Sequence, residues 1–305
     1  MRRRLHFHPV ASAALTAAIA LVLAMMAPRP CAAAAQSSFP SPDAAMNAFG
    51  NAVAGNDEPE LRSLLGADFR QLVPPVDADI RQQFLSEWHV SHAVQPSGEN
   101  HAVIAVGDDG WTFPIPLVKT AQGWHFDTPA GVEEMRVRRI GRNELAVMQT
   151  MLAIYDAQRD YAQEHHDGNP MLVYASKLAS SPGKQDGLYW PTGPDDAPSP
   201  LGVAFATAGA RNTENAGYHG YHYKLLTKQG PHAPGGAFDY MVRGKLFGGF
   251  GVLAWPVRYG DTGIKSFMVS HDGQVYERDL GPEGAAKAEA MSSFDPGPGW
   301  SKSSP

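Results

Sequence analysis

Four histidine- and aspartate-bearing positions cluster between residues 219 and 239: His219, His222, His232 and Asp239. Imidazole and carboxylate groups that converge can hold a metal or act as general bases. In an extended strand His219 and His222 would point to opposite faces, so a shared site needs the chain to bend at Gly220. His222, His232 and Asp239 are the candidates for a catalytic base. The plain alternative is that they are surface or strand-pairing residues. His89 and His92 share a helix face by spacing, with no acidic or cysteine partner implied.

Asp167-Gly168-Asn169 resembles part of a calcium loop, in which oxygen ligands flank a glycine turn. Asp167 and Asn169 are therefore candidate ligands, with calcium the one cofactor considered. Pro170 interrupts the pattern and no glutamate closes it, which also fits a simple helix-ending turn. Tyr189, Trp190 and Trp255 are candidates to line a groove for a sugar, a cell-wall fragment or a peptide. Ser180 to Lys184 carries a Gly-Lys pair without the upstream glycine of a phosphate loop. No Gly-x-Ser-x-Gly elbow and no His-Glu-x-x-His occurs, so no motif names a reaction.

The elements that must carry these residues follow an export segment. Arg2, Arg3 and Arg4 precede an apolar run from Val10 to Ala27, and Ala33-Ala34-Ala35 offers small residues for cleavage. The run is slightly short for a spanning helix, and Pro28 and Pro30 end it. Residues 1–35 read as a signal peptide, and the protein as periplasmic or secreted. Cys31 is the single cysteine and leaves with the signal, so the mature chain is expected to be cysteine-free. The whole chain carries −6; removing four arginines and no acids leaves −10. That charge excludes nucleic acid as the natural partner and a polybasic membrane contact.

Two α+β domains are expected, over 39–138 and 139–293, with a flexible tail over 294–305. Ser41 and Asp57 mark the starts of two helices, and a third covers 79–91 with Ile80, Phe84, Leu85 and Trp88 inward. Strands follow over 101–106, 111–118 and 124–127. A long helix runs from 140 to about 164 and has two adjacent apolar stripes. One carries Leu145, Met148, Leu152 and Tyr155, and the other Val147, Met151, Ile154 and Tyr161. Short strands then cover 218–227, 238–243, 249–256, 264–271 and 274–278, with a hairpin at Asp272-Gly273 and a short helix over 282–292.

Four segments carry a resemblance: GVEEMRVRRIGRNEL from Gly131, SSPGKQDGLYWP from Ser180, GPHAPGGAFDY from Gly230, and GGFGVLAWPVRYGDTGIKSFMVSHDG from Gly248. With these the chain resembles the exported bacterial proteins grouped as domain-of-unknown-function family 2950, over nearly everything after the signal. The resemblance implies export and a shared fold, and no activity. The second half is similar in layout to the globular domain of type II secretion pseudopilins, a long helix before an antiparallel meander. The first half resembles the cone-shaped nuclear transport factor 2 fold, whose interior Phe49, Trp88, Trp111 and Trp124 would line. The reading that follows is a non-enzymatic envelope protein that binds a partner protein or cell-wall ligand. A hydrolase and a small-molecule carrier are the alternatives.

Overall fold

A computed structural model describes residues 36–193, 198–202 and 217–305. Residues 1–35, expected to be a signal peptide and containing Cys31, lie outside the described residues. The chain divides into two compact units, Met1–Val132 and Glu133–Pro305.

The first unit opens on four helices: α1 (Pro42–Gly55), α2 (Glu58–Leu65), α3 (Phe69–Leu72) and α4 (Ala78–Val90). Ser41 starts α1 by accepting from Ala44 N at 3.1 Å, and Asp57 starts α2 by accepting from Glu60 N at 3.0 Å. Asn56 ends α1 in the left-handed region that its short amide side chain tolerates. A four-stranded antiparallel sheet follows in chain order: β1 (His92–Pro96), β2 (His101–Val106), β3 (Leu117–Thr120) and β4 (Gly123–Phe126). The strand expected over 111–118 is a single bridge at Thr112 followed by an irregular bend. Pro114 and Pro116 have no N–H to give a ladder, so regular pairing starts at Leu117.

Phe49 is the hub of this unit's core. Its ring lies 4.5 Å from Phe113, 5.5 Å from Phe126, 6.1 Å from Phe84 and 6.2 Å from Trp88. The interior that a carrier would need is filled by rings packed on one another. Of the expected lining, Trp111 is exposed, and so is Ile80 on α4. His89 and His92 turn back to the carbonyls of Leu85 and Trp88.

A long helix, α5 (Thr128–Tyr161), begins twelve residues before the expected start at Ile140. Asp127 caps it by accepting from Ala130 N, Pro129 sits where no N–H is needed, and Gly131 lets the backbone pass against Ile115.

In the second unit, one stripe of α5 is core. Val147, Met151 and Ile154 are fully buried, with Ala157 and Tyr161 beside them, while Leu145 on the neighbouring stripe is 44% exposed. After α5 come β5 (Lys177–Ala179), β6 (Gly187–Tyr189), β7 (Tyr221–Leu226), β8 (Lys228–Gln229), β9 (Phe238–Asp239), β10 (Met241–Val242), β11 (Lys245–Leu246), β12 (Gly251–Pro256), β13 (Lys265–Ser270), β14 (Val275–Asp279), α6 (Gly284–Ala290) and β15 (Ser301–Ser303). The principal sheet has the order β15-β14-β13-β12-β7, antiparallel throughout. Strand β12 is buried on both sides. Val252 and Ala254 join the core that includes α5, and Leu253 and Trp255 join a second core with Ala288 of α6.

The tail over 294–305, expected to be flexible, is held. Phe294 is buried, Trp300 packs on the second core, and β15 pairs with β14. Its serine- and proline-rich composition conceals these contacts. The turn between β12 and β13 is tied to α5. Glu144 accepts from Ile264 N and Lys265 N at 2.8 and 2.9 Å, and Asn143 donates to Thr262 O at 2.8 Å. At Gly263 any side chain would collide with the buried Tyr221 ring, whose hydroxyl donates to Lys265 O. An α+β architecture with open antiparallel sheets is thus established. No helix among the described residues is long and apolar enough to cross a membrane.

The stripe assignment has a direct consequence. Met151→Ala is expected to destabilise the protein by about 2–5 kcal/mol, whereas Leu145→Ala should stay within about 0.5 kcal/mol. Urea unfolding of the two variants checks the contrast.

Candidate functional site

The end of α5 builds a cleft. Past Tyr161 the chain reverses through Asp167 and Gly168, both at positive φ. One buried side chain sets where it returns: Gln158 donates to Ala175 O at 3.0 Å and accepts from Ala175 N at 2.8 Å. The segment Ser180 to Pro191 then folds over the helix end. Both Asp167 carboxylate oxygens accept from Gln185 N, at 3.1 and 3.0 Å. Asp186 accepts from Ser181 N at 2.7 Å and from Lys177 Nζ at 2.8 Å. Those donors, the Lys177 ammonium first, hold the Asp186 carboxyl at about 2, well below its ordinary 3.8.

Tyr161 and His166 stack with ring centres 3.9 Å apart. His166 is 8% exposed. Its Nε2 lies 3.0 Å from Tyr161 O and its Nδ1 3.3 Å from Gln185 Oε1. A carbonyl only accepts, so Nε2 carries the hydrogen, and the bare Nδ1 accepts from the Gln185 amide when that amide presents its NH2. The Tyr161 hydroxyl donates to Gln185 O at 2.6 Å. Burial, with Asp167 and Asp186 adding to it, pushes that hydroxyl up to about 12.

On one side of this stacked pair is a cavity of about 590 Å³, where Asp160, Glu164 and Trp190 also line the wall. On the other is a smaller one of about 190 Å³, whose wall includes Asp167, Asp186 and Lys245. Among the described residues no lysine or arginine lines the larger cavity. It therefore offers an indole ring and two carboxylates, backed by an imidazole and a phenol that are already engaged.

The residues singled out in the sequence scatter. Trp190 lines the cleft and Tyr189 packs on the core beside it, but Trp255 belongs to the core on the opposite sheet face. A groove of all three aromatics is not formed, because β12 turns Trp255 away from Ala254 and the α5 side. His222 instead stands opposite Trp255, with ring centres 5.5 Å apart. His232 is held by Asp295, its Nδ1 3.1 Å from the carboxylate. Asp239 accepts from Met241 N at 2.8 Å and is exposed. His219 is exposed at positive φ. Each of these groups thus has its own surroundings.

Asn169 Oδ1 accepts from Met171 N at 3.3 Å, and Asp167 serves Gln185 N, so both support the turn. Among the described residues no three His, Asp, Glu or Cys side chains gather to hold a metal.

Sequence reasoning missed Asp160, Glu164, His166 and Gln185 as site residues, and read Tyr161 only as apolar stripe. Gln185 lies nineteen residues from His166, a distance that no periodic pattern spans.

The family model for proteins of unknown function, DUF2950, matches residues 36–303, and the chain belongs to that family. No curated protein and no solved structure matches. These comparisons do not support the likenesses to pseudopilins and to nuclear transport factor 2.

The Asp186 brace makes stability depend on pH. Its carboxyl is depressed in the folded state, so its contribution is complete above about 4 and fades as pH falls toward about 2. Asp186→Asn should flatten that part of the acid-unfolding curve, measured by circular dichroism against the unaltered protein. Gln158→Leu should cost about 1–3 kcal/mol at neutral pH by leaving the Ala175 backbone groups buried without partners.

Proposed function

We propose that this is an exported envelope protein that binds a cell-wall ligand in the cleft at the end of α5. One observation carries the reading: the wall groups able to do proton chemistry are engaged with one another. Both His166 nitrogens have partners, and the Tyr161 hydroxyl is committed to Gln185 O and hard to ionise. What remains for a ligand is the Trp190 ring and the Asp160 and Glu164 carboxylates. An aromatic surface takes the apolar face of a sugar or side chain, and carboxylates accept from hydroxyl or ammonium groups. A wall glycan bearing a peptide with a free amine has both. Export rests on the arginine start, apolar run and alanine cleavage site of residues 1–35.

A hydrolase is the second reading, favoured by the His232–Asp295 pair. The carboxylate holds Nδ1, the arrangement that orients an imidazole so that Nε2 can serve as a base.

Soluble muropeptides are the probe. Calorimetry should show saturable binding, weakened about three- to tenfold by Trp190→Ala, the value of one aromatic contact. A folded protein that binds no muropeptide overturns the cleft reading. Muropeptide turnover that His232→Ala abolishes supports the hydrolase instead. Mass spectrometry of protein from the native host should find the amino terminus at or near Gln36 in the envelope or medium. An intact Met1 on cytosolic material overturns export.

A further inference from the structure

The other face of the principal sheet carries a separate cluster. In the β7–β12 ladder His222 stands opposite Trp255 and Lys224 opposite Leu253. Residues directly opposite in an antiparallel pair share a face, so His222, Lys224 and Trp255 lie together on the α6 side. Trp255 is 7% exposed, and its indole N–H has no acceptor among the described residues. A buried donor left without a partner is costly, and an acceptor brought to it relieves that cost.

The neighbours of that N–H are donors as well. Lys224 Nζ lies 5.8 Å from the Trp255 ring centre and gives one hydrogen to Glu289 O at 2.6 Å, which leaves two. The His222 imidazole makes no hydrogen bond among the described residues. Burial lowers the proton affinity of both His222 and Lys224. Glu289 opposes that in each case through its charge, yet its carboxylate is not within ion-pair reach of either group. The cluster thus has one ammonium with two hydrogens to spare and an indole N–H with no acceptor, beside an imidazole that offers one donor and one acceptor.

We propose that Trp255, Lys224 and His222 form a binding site for a small carboxylate. A single negative charge matches the single ammonium, and two carboxylate oxygens accept from the ammonium and from the indole or imidazole N–H groups. The site is distinct from the cleft at Trp190, because Trp255 belongs to the core on the α6 face of the sheet and Trp190 packs on the core that includes α5.

The probe is acetate, titrated into the full mature protein at constant ionic strength while tryptophan indole N–H signals are followed by NMR. Trp255→Phe assigns the resonance. The Trp255 signal should shift and saturate, and Lys224→Met should weaken the apparent affinity about tenfold or more, as expected for losing a charge-assisted hydrogen bond. An indole signal in the unaltered protein that acetate does not move overturns the proposal. An equal, saturable shift in a folded Lys224→Met protein overturns it too. Neither result bears on muropeptide binding at the cleft.

Discussion

A single buried amide determines where the cleft can be. Gln158 lies on the apolar stripe of α5, between Ile154 and Tyr161, and is wholly inaccessible to water. In most helices that position would carry a leucine. Here the side chain presents one donor and one acceptor to the backbone of Ala175, as a neighbouring strand would. Tyr174 beside it bridges to Leu246, and at Ala175 the amide supplies the partner. With Ala175 fixed, the reversal at Asp167 and Gly168, the parallel pair β5–β6 and the Asp186 brace fall into place around the helix end. Buried polar pairs of this kind fix geometry because the alternative, an unpaired backbone group in a dry core, is strongly disfavoured.

Strand β12 imposes the second constraint. It is covered on both faces, so its residues alternate between two different cores, with none facing water. A strand of this kind loses the alternation of polar and apolar residues that reports direction from sequence. Ala254-Trp255-Pro256 could be recognised as strand, but nothing in the three residues shows which face the indole takes. For that reason Trp255 groups with Tyr189 and Trp190 by composition and with His222 and Lys224 in space.

Legibility along the chain follows the same logic. Helix starts at Ser41 and Asp57 were readable because an N-cap is local, a side chain meeting an N–H three residues on. Strand β2 was readable to the residue, since its inner face alternates with its outer one. Strand β1 was not, because most of its residues are exposed and it is recruited by pairing with β2. The early part of α5 holds Pro129, Gly131 and Gly141, residue types of low helix propensity that carry no periodic signal. Only the packing of Ile115 against Gly131 reveals that glycine's role as a point of close approach. The stacked wall of the cleft was unreadable for a related reason: Tyr161, His166 and Gln185 meet only because Gln158 and Asp167 bring distant loops to one place.

Electrostatics at the helix end gives the cleft its polarity. The last carbonyls of a helix carry partial negative charge, and acidic groups beside them are disfavoured. Asp160 stands in the last turn of α5 and Glu164 just past its end, both on the cleft wall, where like charges disfavour each other. The basic side chain nearby is directed elsewhere: the Arg159 guanidinium lies over the Tyr155 ring. Lys177 is committed to Asp186. An ammonium group entering beside Trp190 would relieve both the carboxylate repulsion and the unfavourable helix-end charge, and would gain the face of the indole. A carboxylate-bearing ligand would meet the reverse of each term. The charge pattern thus separates the two sites of the second unit by sign. The cleft at α5 suits the positively charged part of a ligand, and the Trp255–Lys224 cluster suits a negatively charged one.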